Sequence, residues 1–303
     1  MTVPNSNVRK RNEAMTSAAT ADLPETLAAA GSRRRQVSAS SARALLLTVL
    51  GEFVYPRDEP VWTSTLTVAL GELGVEEKTA RQAIARSANE GLLDSTRLGR
   101  RVQWVITDPG KRLLAEGTER IYSFLTDTRS WDGRWLILSL AIPETQRRLR
   151  HRLRAQLTWV GLGSPSPGLW ITPDAGHESE VRRVVDELGL DDRAFAWVGP
   201  LTAIGSPQKL ISDAWALGDV EDAYRGFIET FSTMEATTRS AAFTSQIKLV
   251  GEWRRFPFLD PNLPAELLDH AWPGTQAVEL FHRKHRQWHT RAQQHWTDLT
   301  ALE

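Results

Sequence analysis

Cysteine is absent from this sequence of 303 residues. Disulfides, thiol nucleophiles and cysteine-based zinc sites are therefore excluded. An excess of charge is missing as well: 37 Lys and Arg balance 37 Asp and Glu, for a formal net charge of zero. No polybasic coat exists, so any surface for nucleic acid has to be local. No apolar run approaches the ~20 residues that a membrane span needs. The first residues lack the apolar core of an export signal, and a cytoplasmic protein is expected. Signatures of catalysis are missing too. Ser206, Ser232 and Ser245 have no Gly-x-Ser-x-Gly context. Gly161-x-Gly163 lacks the rest of a phosphate-binding loop. Neither enzymatic activity nor a cofactor is expected. Tryptophan is abundant, with 12 copies from Trp62 to Trp296. Large core or interface side chains are the simplest use for them, and an aromatic pocket is the other.

The chain is organised around Ser40 to Arg112. Apolar spacing predicts helices over Ser41–Phe53, Trp62–Leu73 and Glu76–Glu90. Gly74 stops the second helix and Gly91 follows the third. Two short strands follow, Leu93–Arg97 and Val102–Thr107, joined through Gly99-Arg100-Arg101. Three short helices and a hairpin make a winged helix-turn-helix, which presents its third helix to a major groove. In that helix Ala80, Ala83 and Ile84 face inward, while Lys78, Arg81, Gln82 and Arg86 face outward. Arg97, Arg100 and Arg101 make the wing basic where it would meet a phosphate backbone. These seven residues are the candidate DNA contacts. Glu76 stands at the capping position of the third helix, where it suits the dipole but repels phosphate. The alternative use of the module is protein contact alone.

Several blocks carry a resemblance to a known family. They are Ser41-Ala42-Arg43-Ala44-Leu45-Leu46-Leu47-Thr48-Val49-Leu50-Gly51, Thr79-Ala80-Arg81-Gln82-Ala83-Ile84-Ala85-Arg86 and Leu98-Gly99-Arg100-Arg101. Trp135 and Arg254-Arg255-Phe256-Pro257-Phe258-Leu259-Asp260-Pro261 follow in order. Together they resemble the PaaX family, repressors of phenylacetic acid degradation. The resemblance implies a homodimer that binds double-stranded operator DNA and releases it when an aryl- or acyl-CoA thioester such as phenylacetyl-CoA binds. It also implies a middle domain like the small nuclease Cas2.

The expected fold class is α+β and multidomain: an N-terminal winged helix-turn-helix, a central ferredoxin-like (Cas2-like) domain and a C-terminal helical domain. Residues 1–36 read as a disordered arm, punctuated by Arg9-Lys10-Arg11 and Arg33-Arg34-Arg35. The winged helix takes 37–116, a linker helix 117–130, the ferredoxin-like domain 131–204, and a helical effector and dimerisation domain 205–303. In the central part, a strand–helix–strand–strand–helix–strand order gives the split β-α-β unit. Pro257 and Pro261 are expected to forbid a regular helix around Phe258.

Two places suit an anionic, partly apolar ligand. One is Arg254 and Arg255 beside Phe256 and Phe258. The other is the basic helix carrying Arg147 and Arg154, with Trp159 nearby. Salt-bridged arginines in a fold-defining turn, and an ordinary solvated helix face, are the alternatives. His282, His285 and His289 share one broad helix face that could hold a metal, or flank an apolar stripe of Phe281, Trp288 and Trp296. That stripe could form the dimer interface or lie within the subunit. A metal-dependent nuclease would need acidic ligands near strand ends, where only Asp132 and Asp174 stand, far apart in sequence.

Overall fold

Ser41 starts the first helix by accepting a hydrogen bond on Oγ from the Ala44 amide at 3.2 Å, which satisfies a donor that has no partner within the helix. A computed structural model describes residues 41–126, 130–202 and 204–301. The expected arm and its arginine clusters lie outside the described residues. Helix α1, Ala42–Val49, continues as a wider π-helical turn, Leu50–Val54. Then come β1 (Val61–Trp62), α2 (Thr63–Glu72), α3 (Glu77–Asn89), β2 (Leu93–Leu98) and β3 (Arg101–Ile106). The three strands form an antiparallel sheet in the order β1-β3-β2. This is a winged helix. Strand β1, which takes Trp62 from the start of the expected second helix, pairs Val61 with Trp104 and Trp62 with Gln103. The hairpin turn is Gly99-Arg100 alone, because Arg101 already pairs with Leu98. Gly99 takes a φ of 63°, which suits the first position of a two-residue hairpin turn.

Helix α4, Asp108–Ser123, begins nine residues before the linker helix expected over 117–130. Thr107 caps it through the Gly110 amide at 3.1 Å, and Pro109 occupies the first turn, where its missing N–H costs nothing. Gly110 admits no side chain: a Cβ there would run into the Leu92 carbonyl oxygen and lie 2.9 Å from Ile106 Cγ2.

Near the C-terminus, α8 (Leu217–Ser232), α9 (Arg239–Trp253), α10 (Phe256–Leu259) and α11 (Gly274–Ala301) join the winged helix in one compact unit, residues 41–126 with 216–301. A single apolar core runs through it. Phe53 of the winged helix lies 4.9 Å from Phe243 and 5.6 Å from Trp296, ring to ring. Phe281, Trp288 and Trp296 are fully enclosed in this core. The apolar stripe of α11 is therefore interior packing and not a dimer surface. The expected irregular turn around Phe258 is the short helix α10, which holds Pro257 in its first turn, where proline is tolerated.

The second unit spans residues 131–215. It contains β4 (Arg134–Ser139), α5 (Arg147–Trp159), β5 (Gly163–Ser166), β6 (Leu169–Thr172), α6 (Glu178–Glu187), β7 (Phe195–Pro200) and α7 (Pro207–Ala214). Its sheet order is β5-β6-β4-β7, with every pair antiparallel. That is the ferredoxin-like arrangement. Strand β5 contains Pro165, acceptable because β5 is an edge strand. Leu153 and Leu157 of α5 and Val181, Val184 and Val185 of α6 pack together with Leu136 and Leu138. On the sheet's other face Trp135 meets Trp131 at 5.5 Å and Trp215 at 6.4 Å. Helix α7 packs on β5, so this unit extends to Trp215.

Candidate nucleic-acid interface and its buried support

Helix α3 carries the candidate interface because one of its faces is buried and the other exposed. Ala80, Ala83, Ile84 and Ser87 are buried, and the helix packs against α1 and α2. Lys78, Arg81, Gln82, Ala85 and Arg86 fall at i, i+3, i+4, i+7 and i+8, and all are exposed on one stripe. Glu76 makes no side-chain cap, so the start of α3 has only its backbone and the charge of Glu77. Glu77 also holds Arg81, with Oε1 2.7 Å from the Arg81 guanidinium. At the other end, Gly91 turns the chain with a φ of 76°, and the Leu92 amide donates to the Ser87 carbonyl at 2.9 Å. Glu90, the residue that ends α3, is held by Arg43 of α1 at 2.6 Å. Arg43 thus holds the end of α3 and was not among the sequence candidates.

The wing arginines divide by strand alternation. Arg97 pairs across the hairpin with Val102, and Arg101 pairs with Leu98, so Arg97 and Arg101 leave opposite faces of the ribbon. The Arg97 Nε donates to the Gly99 carbonyl at 3.2 Å. Arg101 lies over the Trp62 ring, 4.2 Å from its centroid. Arg100 stands exposed at the tip. The sequence placed the three together; the pleat separates them.

The π-helical turn that continues α1 holds a buried carboxylate, Glu52. Tyr122 Oη donates to its Oε1 at 2.6 Å, and Gln246 Nε2 donates to its Oε2 at 2.8 Å. His285 Nε2 lies 2.9 Å from Oε2 and 2.8 Å from Tyr122 Oη. Since the tyrosine spends its proton on Glu52, the His285 nitrogen must carry a hydrogen and donate. Gln293 Nε2 donates to the Glu52 backbone carbonyl at 3.0 Å. Burial pushes the Glu52 carboxyl up, but the His285 hydrogen bond and charge, with Tyr122 and Gln246, outweigh it and hold it below its ordinary range. One acid thus ties the first helix of the winged module to α4, α9 and α11. Glu72 of α2 repeats this on a smaller scale, 2.8 Å from His295 and 2.7 Å from Ser240 Oγ. The spacing of Glu52, three residues after Val49 and seven after Leu45, already put it on the inward stripe.

Three of the four histidines of α11 have separate surroundings. His285 serves Glu52, His295 serves Glu72, and the His282 Nε2 is enclosed without a hydrogen-bond partner. Among the described residues, no three metal-ligating side chains gather at one place. Asp132 and Asp174 each close their own turn, accepting from the Arg134 amide at 2.9 Å and the Gly176 amide at 2.8 Å.

The Arg254–Pro261 block divides between core and surface. Phe256 stacks on Tyr224 at 4.2 Å with planes 6° apart, so its ring belongs to the core. Buried Asp260 accepts from Tyr224 Oη at 2.6 Å and from the Asn262 amide at 2.7 Å. Burial raises its carboxyl above the ordinary range despite both bonds. Arg255 pairs with Glu252 at 2.8 Å. Exposed Phe258 lies under the Arg120 guanidinium, 5.3 Å away. Arg254 is half-buried at the end of α9. Burial, and then the charge of Arg43, lower its proton affinity. In the other unit, Arg147, Arg154 and Trp159 are exposed, but Arg147 and Trp159 stand at opposite ends of α5. At 1.5 Å per residue they are about 18 Å apart along the axis, so these three do not converge on one small ligand.

Three family models match the chain in succession: the PaaX-like protein over residues 41–110, the PaaX protein central Cas2-like domain over 128–211, and the PaaX-like protein C-terminal domain over 215–298. The chain belongs to the PaaX family. Transcriptional repressor PaaX of Escherichia coli (strain K12) is 28% identical over 251 residues, covering 79% of this chain and 78% of that protein. The uncharacterized protein Rv0674 from Mycobacterium tuberculosis matches in structure with a TM-score of 0.58 at 24% identity, over 83% of this chain and 97% of that one, a likeness of fold. Membership places the chain among transcriptional regulators. Within the PaaX architecture seen here, the first and third segments share one core and the Glu52 network, while the Cas2-like segment has a core of its own.

The Glu77–Arg81 pair restrains one of the candidate DNA contacts. Both groups are largely exposed, so the pair itself contributes little, up to ~1 kcal/mol. Glu77→Gln is expected to tighten binding to any duplex by about two- to five-fold. Fluorescence anisotropy on specific and scrambled duplexes checks this, and unchanged or weaker binding to both would count against the assignment of Arg81.

Proposed function

We propose that this protein is a transcriptional repressor that holds double-stranded operator DNA as a homodimer and leaves it when a CoA thioester of an aryl or acyl acid, phenylacetyl-CoA among them, binds. The observation that carries the DNA half is the exposed stripe Lys78, Arg81, Gln82 and Arg86 on the third helix of a winged helix. The E. coli relative, named a transcriptional repressor, supports the regulatory half. A dimer follows from footprint: one winged helix reads few base pairs, and two half-sites supply the usual specificity. Its interface lies outside the α11 stripe, which the core occupies.

For the effector, Arg254 is the most suitable cation of the Arg254–Phe258 block. It is half-buried and feels the charge of Glu252 only at a distance, whereas Arg255 pairs with Glu252 directly. An anion there would also draw on Arg43, which otherwise holds Glu90 at the end of the reading helix. Competition for Arg43 gives the ligand a route to α3. A ligand lowers DNA affinity only by binding the DNA-incompetent arrangement more tightly, and the coupling is reciprocal. A second reading, a DNA-binding regulator with another effector or none, draws support from the commitment of Phe256 to the core.

The test is titration of the protein–duplex complex with phenylacetyl-CoA, other acyl-CoA esters, free CoA and free phenylacetate. Tenfold weaker DNA binding with a thioester alone, a coupling of ~1.4 kcal/mol, is the expected result. Binding of no ester would move the assignment to the second reading.

A further inference from the structure

Helix α5 of the Cas2-like unit presents a strongly basic surface. Its first eight residues, Arg147 to Arg154, hold five arginines and one histidine, and the helix contains no acidic residue. Leu153 and Leu157 turn one side into the core, which leaves Arg147, Arg148, Arg150, His151, Arg152 and Arg154 exposed. Only Arg150 has an acidic partner among the described residues, Glu144 at 3.3 Å, with both groups open to solvent. The molecule as a whole carries no net charge, so this is a local concentration.

The arrangement works against the helix that bears it. Cations at a helix N-terminus oppose the macrodipole. Arg148 with Arg152, and Arg150 with Arg154, are like-charged neighbours one turn apart. Folding alone gives no reason for it. The face is the outside of a helix and therefore convex, whereas small ligands are held in concave sites. A convex row of guanidiniums fits an extended polyanion. From Arg147 to Arg154 the helix rises about 10 Å, some three steps of a duplex at ~3.4 Å per step. The basic residues are arginine apart from one histidine, and the planar fork of arginine matches phosphate oxygens in pairs.

We propose that α5 is a second DNA-contact surface, which grips the phosphate backbone of the bound duplex outside the base pairs read by α3. The inference rests on the repressor reading and adds a contact that carries no sequence information of its own.

The experiment uses the full-length protein and a duplex it selects from a random pool, once with long flanks and once trimmed to the selected core. Affinity is measured against salt for the native protein and for Arg148→Ala/Arg152→Ala. On the long duplex the variant should lose up to ~1.8 from the slope of log affinity against log salt, ~0.9 for each phosphate released. On the trimmed duplex the two proteins should agree. Arg148→Lys/Arg152→Lys should restore most of the slope. A thermal melt no lower than native shows the fold intact, as expected when like charges are removed. An unchanged slope on the long duplex, or an equal loss on both duplexes, overturns the proposal. Failure of the native protein to select any duplex would refute the repressor reading first, and this inference with it.

Discussion

Replacing His285 by leucine will lower the stability of the protein by about 1–3 kcal/mol, the usual cost of leaving a buried acceptor short of a donor. The cost arises at Glu52. Its carboxylate would stay enclosed with Tyr122 and Gln246 as its remaining side-chain donors. Denaturant unfolding at neutral pH measures the loss, and a change under ~1 kcal/mol would show that the network carries little. The double variant Glu52→Leu/His285→Leu should recover part of the loss, because the stranded charge is gone. The pH dependence has a definite sign. The folded Glu52 carboxyl titrates below its ordinary value, which is ~4.3 for an unperturbed glutamate. Its contribution is therefore complete above that value and disappears as pH falls through the lower folded value. Loss of His285 removes the main group that lowers it, so the variant should show a shallower acid limb. Because Glu52 lies in the helix that supports α3, operator binding is expected to fall in step with the folded fraction.

Arg81→Ala should cost ~1–3 kcal/mol of discrimination between specific and scrambled duplexes, about five- to 150-fold. Arg81 stands in the middle of the exposed stripe of α3, between Lys78 and Ala85. Arg100→Ala, at the wing tip, should instead weaken both duplexes alike and reduce the salt slope by ~0.9. The contrast between base reading and backbone holding is the informative result. If neither change alters binding to either duplex at ~0.15 M salt, the face has been assigned wrongly.

Much of the reading module was legible from one sequence because its signals are local. Helical spacing in Leu45–Phe53, Leu66–Leu73 and Ala80–Ile84, with Gly74 and Gly91 as stops, needs only neighbours to be read. The same holds for the α3 stripe, whose outward residues are exposed as their spacing requires. The two-residue strand Val61–Trp62 was missed because so short an extended stretch carries no period and exists only by pairing with β3. The hairpin charges were grouped correctly in sequence but not in space, since alternation sends Arg97 and Arg101 to opposite faces.

The sequence by itself determined which helix presents an exposed, mostly basic stripe, the order of the three segments and the family they belong to. It determined that the stripe of Phe281, Trp288 and Trp296 must be buried, but not against what. Periodicity shows that a face leaves water; it does not name the surface that covers it. The tertiary structure decided that those rings pack against the winged helix, that Phe256 belongs to the core, and that Glu52 finds His285 on a helix 233 residues further along. A buried acid is tolerable only where several donors from distant segments converge, and that convergence exists only once the chain has folded.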